Sequence, residues 1–184
     1  METMKVLVVF STLAIGVYAQ RVTFNECGSN EYFTLKQVDL KDKITFPSIV
    51  RGDVHAVVNK DIPADATISF QVYKIINIFG ERRIKIPCVG IYGSCDYNLC
   101  KFIAKKTDPI EPRFDICVLW PEGMQCGCPV SEGMVFKKQN AKLLFPQLST
   151  IVKLLNKGKY VLNIQLRDAQ RQSLYCVDFN VHIG

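Results

Sequence analysis

The chain has 184 residues and a net charge of +6, from 23 Lys and Arg against 17 Asp and Glu. That length supports one hydrophobic core and is too short for two, so a single domain is expected. The basic residues are scattered as Arg82-Arg83-Lys85, Lys105-Lys106, Lys137-Lys138 and Lys153/Lys157/Lys159. With no dense basic tail and no aromatic-basic recognition motif, they speak against nucleic-acid binding and fit a solvated surface or a transient anionic membrane partner.

In chain order, the first feature is a leader. Lys5 precedes the apolar run from Val6 to Val17, and Val17-Tyr18-Ala19 stands before Gln20. This pattern predicts a signal peptide over 1–19, cut after Ala19, with residues 20–184 forming the domain. No later stretch approaches the roughly 20 apolar residues of a spanning helix. All eight cysteines, Cys27, Cys88, Cys95, Cys100, Cys117, Cys126, Cys128 and Cys176, follow the leader, where export favours oxidation into four bridges. The count alone leaves on the order of 100 pairings open.

Strand signals come next. Val54, Ala56 and Val58 suggest one strand. Ile68, Phe70 and Val72 alternate with Thr67, Ser69, Gln71 and Tyr73 in a second. A short helix is expected between Ser94 and Ala104, with Ser94 as cap and Leu99, Phe102 and Ile103 on one side. Residues 107–133 are rich in Pro, Gly and Cys and read as a long loop held by bridges. Tyr160, Leu162, Ile164 and Leu166 then alternate with polar or smaller neighbours. Asp168–Gln172 forms a short polar connection, and Tyr175, Val177, Phe179, Val181 and Ile183 mark one face of a final strand. So short a connection favours an antiparallel hairpin. The expected fold class is all-β, an antiparallel β-sandwich or open β-cup with an apolar cavity, one short helix and four disulfides.

Two local segments carry a resemblance. Ile84-Lys85-Ile86-Pro87-Cys88 leads through Ile91-Tyr92-Gly93-Ser94-Cys95 to Cys100, and later comes Cys126-Gly127-Cys128-Pro129-Val130-Ser131-Glu132-Gly133. With an early Cys27 and a late Cys176, the chain resembles the MD-2-related lipid-recognition (ML) family, in particular its ganglioside-activator branch. The resemblance implies the pairs Cys27–Cys176, Cys88–Cys95, Cys100–Cys128 and Cys117–Cys126. It also implies a lipid or glycolipid ligand held in a β-cup, no cofactor, and a possible partner in a soluble exo-glycosidase that the loaded protein would serve as a non-catalytic activator.

The alternating faces supply the lipid-cavity candidates Ile68, Phe70, Val72, Leu162, Ile164 and Leu166. Inside the loop between Cys117 and Cys126, Val118-Leu119-Trp120 and Met124 are the membrane-loop candidates, because an apolar tip with a tryptophan suits a bilayer interface. Other classes were weighed on their residues. The spacing Cys126-x-Cys128 fits a structural zinc site poorly. Only His55 and His182 are present, near Asp53 and Asp178 respectively, and paired carboxylates such as Asp108/Glu111 sit in a Pro-rich loop, so no catalytic or metal residue is assigned. The alternative is a secreted protein-interaction module with a filled core; a hydrolase has less support. No Asn-x-Ser/Thr sequon occurs, so extracellular fluid and the lysosome both stand as destinations.

Overall fold

The structure, a computed structural model, describes residues 22–89, 92–104, 115–145 and 157–183. The leader and the Asp108/Glu111 pair lie outside the described residues, as does part of the 107–133 loop. Among the described residues, nine strands form two antiparallel sheets. The larger contains β1 (Thr23–Glu26), β4 (Thr67–Asn77), β5 (Glu81–Ile86), β6 (Asp96–Asn98), β8 (Gly158–Arg167) and β9 (Ser173–Ile183). Its order is β1-β9-β8-β4-β5, with β6 also on β4. The smaller is β2 (Phe33–Leu40), β3 (Ser48–Val58) and β7 (Val135–Phe145) in the order β2-β3-β7.

β4, β8 and β9 are long because β-branched and aromatic residues recur at every second position, which suits a pleated surface buried on one side. β8 and β9 form the expected hairpin through Asp168–Gln172. There the Gln172 N–H donates to Asp168 Oδ1 at 2.7 Å, so the aspartate closes its own turn.

The helix α1 is shorter than expected, Leu99–Ala104. Residues Asp96–Asn98 instead pair with Ser69–Thr67 of β4, and a chain held extended by that ladder cannot also start a helix. Asn98 therefore takes the capping role, its Oδ1 accepting from the Lys101 N–H at 3.0 Å. Ser94, the expected cap, accepts from the Val72 N–H at 3.0 Å.

The four disulfides are Cys27–Cys176, Cys88–Cys95, Cys100–Cys128 and Cys117–Cys126. The first ties β1 to β9, the third ties α1 to the 120–134 loop, and the fourth closes the segment that starts with a 3-10 turn over Ile116–Leu119. In the Cys88–Cys95 loop, Gly93 has φ +89° and a Cβ there would lie 2.0 Å from the Pro87 carbonyl oxygen. Only glycine fits that approach.

A packed core cluster joins the two sheets at one end of the sandwich, and Val50, Leu143 and Tyr160 are buried toward the other. Val58 from the smaller sheet and Met134, just before β7, cluster with Leu166, Tyr175 and Val177 from the larger and with Leu99 and Ile103 of α1. Each such side chain contributes about 1.5–3 kcal/mol when fully buried. At the opposite end lies the β4–β5 turn, Ile78-Phe79-Gly80.

Two surface carboxylates brace the smaller sheet. Asp42 accepts from Arg51 through Nε at 2.9 Å, through a terminal guanidinium nitrogen at 2.7 Å and through the backbone N–H at 2.8 Å. Asp53 accepts from the Asn140 N–H at 2.7 Å and pairs with the Lys41 ammonium at 3.0 Å. The Arg51 side-chain hydrogen bonds hold the Asp42 carboxyl well below the usual carboxylate range, and the Asn140 N–H followed by Lys41 lowers that of Asp53. A carboxyl depressed in the folded state contributes stability above its unfolded pKa of about 3.9 and loses it as pH falls through the folded value. Thermal melts of wild type and Asp42→Asn should therefore differ by a constant amount from neutral pH down to about pH 5, with the gap closing only below about pH 4. A gap that already closes near pH 6 would contradict this assignment.

Candidate functional site

The antiparallel register of β4, β8 and β9 builds apolar rows across the larger sheet. Ile68 lies beside Leu166 and then Tyr175; Phe70 beside Ile164 and Val177; Val72 beside Leu162 and Phe179. All six lipid-cavity candidates are thus direct cross-strand neighbours on one face, the face turned toward the smaller sheet. A next row continues with Lys74, Tyr160 and Val181.

Burial dips in the middle of this wall and returns at its far end, where Tyr160 of the fourth row is 5% exposed. In the first row Leu166 is 7% exposed and Tyr175 6%, and both belong to the packed core. Ile68 and Ile164 pack against that core. Phe70, Val72 and Leu162 are only half-buried, although they are apolar and sit on the inner face of a two-layer domain. Phe70 is flanked by the rings of Phe102 at 5.4 Å and Tyr97 at 6.1 Å. In the fourth row the Lys74 ammonium stands 5.8 Å from the Tyr160 ring centroid, a cation-π distance.

Within β4, β8 and β9 the first three rows carry no charged side chain; at their edge Glu26 of β1 stands opposite Val177 in the second row. Tyr175 carries the one polar atom at the floor, its hydroxyl donating to Glu26 Oε1 at 3.3 Å. Burial first, and the adjacent Glu26 carboxylate second, push that phenol far above its ordinary pKa, so it stays neutral. Away from the Tyr175–Glu26 pair, the first three rows of β4, β8 and β9 hold no polar side chain that hydrocarbon would strip of water.

The membrane-loop candidates are placed differently from expectation. Trp120 is 6% exposed, with its ring edge-on to Phe136 at 5.2 Å. Val118 and Leu119 are half-buried, and only Met124 is exposed, at 53%. The Cys117–Cys126 segment folds back onto β7 because Phe136 offers an aromatic partner, and Lys138 of the same strand fixes it further through an ion pair to Glu122 at 2.8 Å. Trp120 is part of the closed end of the sandwich. Sequence reasoning missed the apolar tip that is exposed, Ile78-Phe79; its signal was two alternating runs joined by an apolar turn ending in glycine.

The residues weighed for catalysis are not assembled. His55 lies between Gln37 and Lys137 on the outer face of the smaller sheet. His182 is exposed opposite Lys159, and Asp178 accepts from the Asn163 amide at 2.7 Å. All eight cysteines are in bridges, so none is available to a zinc ion. A polar cavity of about 300 Å³ lies on the other face of the larger sheet, lined by Thr67, Ser69, Asp96, Arg167, Asp168 and Arg171, and its lining does not suit hydrocarbon.

Two bridged antiparallel sheets, with half-covered apolar side chains on the inner face between buried residues at either end, define a β-cup binding protein. Residues 21–183 match the ML domain family, and the chain belongs to that family. It is a family of lipid-binding domains. Among solved structures, the chain is similar to a Niemann-Pick type C2 protein from Japanese carpenter ant, at 14% identity and a TM-score of 0.45, covering 88% of this chain and 99% of that one. Comparison with curated proteins finds no match.

Proposed function

We propose that the protein draws the hydrocarbon of a lipid between its sheets, against Phe70, Val72, Leu162 and Ile164, and carries it through water between membranes. The observation that carries this reading is the half-buried state of Phe70, Val72 and Leu162 on the inner face, between the packed core cluster and the buried Tyr160. Burying a methylene is worth about 0.8 kcal/mol, so moving a chain of roughly 14 carbons from a bilayer into bare water costs on the order of 11 kcal/mol. An apolar wall removes most of that barrier. The protein works as a stoichiometric carrier, outside the cell or in the lysosome, where its bridges persist.

A finer reading makes the ligand a glycolipid presented to a soluble exo-glycosidase. Its support is the resemblance of the segment from Ile84 to Gly133 to the ganglioside G(M2) activator protein. The matching residues there are cysteines, glycines and prolines that shape the frame, so headgroup choice falls to the rim beyond Lys74.

Native mass spectrometry of protein purified without detergent tests the proposal. The expected spectrum shows the four-bridge chain carrying one lipid, which extraction then identifies. A bare chain that also takes up no lipid from vesicles would favour the interaction module with a filled core.

A further inference from the structure

We infer that the polar cavity on the outer face of the larger sheet binds an acidic sugar, a pyranose bearing one carboxylate or phosphate. Arg167 and Arg171 take the acid, Asp96 accepts from ring hydroxyls, and Thr67 and Ser69 form the floor. The site lies behind the apolar wall and does not depend on the carrier reading.

The strand register builds it. On β4, Thr67 stands between Arg167 of β8 and Asn98 of β6, and Ser69 between Gln165 and Asp96. With adjacent strands about 4.8 Å apart, the strands that carry Asp96 and Arg167 are roughly 10 Å apart, and the two hydroxyls lie between them. That width suits one pyranose ring, and a volume of about 300 Å³ is at the small end for a ligand site. Arg167 is held along its own strand, since its guanidinium donates to Gln165 Oε1. Arg171 arrives from the β8–β9 turn, which Asp168 fixes by accepting the Gln172 N–H on Oδ1 at 2.7 Å and the Arg171 N–H on its carbonyl oxygen at 3.0 Å. Arg171 has φ +63°. Turn chemistry favours Gly, Asn or Asp in that left-handed conformation, so the turn alone does not explain an arginine there.

The lining selects the class of ligand. Ser69 is 3% exposed, the one polar or charged side chain buried among the described residues, aromatic rings aside. A buried hydroxyl costs free energy unless a partner meets it, and the cavity leaves room for that partner. The ion pairs among the described residues are Lys41–Asp53, Arg51–Asp42, Lys60–Glu31 and Lys138–Glu122, so neither arginine of the cavity pairs with an aspartate there. Among the described residues the lining holds no apolar or aromatic side chain; it mixes guanidinium donors, carboxylate acceptors and hydroxyls that do both. A sugar hydroxyl also donates and accepts at once, and so matches this mixture. The two guanidinium groups suit one carboxylate or phosphate, and the two aspartates repel a more highly charged anion. A small zwitterion would leave the hydroxyl floor without partners.

Titration of the isotope-labelled full chain, followed by NMR, tests the assignment. The acidic sugars are glucuronate and glucose esterified to phosphate at its primary hydroxyl; glucose, inorganic phosphate and glycine are the controls. At least one acidic sugar should shift the amides of Ser69, Asp96, Arg167 and Arg171 saturably, with a dissociation constant on the order of 1 mM, and each control should bind at least about tenfold more weakly. Which acidic sugar binds tells carboxylate from phosphate. Arg167→Gln should weaken the acidic sugar and phosphate alike by about tenfold, whereas Asp96→Asn should weaken the sugar by a similar factor and leave phosphate unchanged. Asp42→Asn, on the other sheet, should bind as wild type. Absence of a saturable shift at these amides with both acidic sugars overturns the proposal. So does phosphate or glycine binding as tightly as the acidic sugar, which would mark a bare anion site or a zwitterion site, and so does binding indifferent to both cavity variants.

Discussion

Replacing Cys27 and Cys176 together by alanine is expected to lower stability by about 5 kcal/mol, while the same change at Cys88 and Cys95 should cost about 2.5 kcal/mol. The difference follows from the chain each bridge closes. Cys27 and Cys176 are 149 residues apart, and Cys88 and Cys95 only 7. In the chain-entropy account, a long crosslink removes more freedom from the unfolded ensemble. The first bridge also stands beside native contacts that depend on it, since the Cys27 N–H donates to the Cys176 carbonyl at 3.0 Å and Glu26, one residue earlier, holds the Tyr175 hydroxyl. A domain of this size has about 5–15 kcal/mol in total, so the double variant should be marginal at body temperature. Urea unfolding of both variants is the check. Equal losses would show that native strain or residual unfolded structure, and not loop length, governs the bridges.

Leu162→Asp should abolish lipid retention while leaving the fold intact. Leu162 stands between Val72 and Phe179 in the middle of the inner wall and is only half-buried, outside the packed core. A carboxylate there can stay hydrated when the cup is empty, so folding tolerates it. A bound acyl chain would strip that water, at a cost of at least about 3 kcal/mol, or roughly 100-fold in retention. Gln165→Asp, on the opposite face of the same strand, should keep lipid at the wild-type level. Leu166→Asp, at 7% exposure within the core, should fail to fold. The readout is lipid per chain by mass spectrometry, with circular dichroism as the control. If Leu162→Asp carries lipid as well as wild type, the hydrocarbon lies somewhere other than this wall.

Some of this architecture was legible in the sequence and some was hidden for identifiable reasons. β4, β8 and β9 declare themselves by unbroken alternation, and the β8–β9 pairing follows from one short polar connection; that β4 lies beside β8, with the six wall candidates on one face, is a long-range fact. β2 and β7 escaped because bulges shift their phase. The register slips between Leu35 and Gln37, and again between Gly52 and Val54 where Asn140 adopts φ +53°. A slip of one residue swaps the two faces, so a period-two scan sees neither strand whole. The burial of Trp120 was hidden for a linked reason. Its partner Phe136 belongs to the unread β7, and no local window around Cys117 to Cys126 contains that contact. The helix start was misplaced because pairing of β6 with β4 is a long-range fact that overrides a local serine cap.

The chain contains a single tryptophan, and that residue is wedged edge-on against Phe136 where the two sheets close. The protein thus carries a built-in optical reporter with no background from other indoles. Its emission colour and anisotropy should register any guest that reaches the bottom of the cleft, without a dye and without altering a residue.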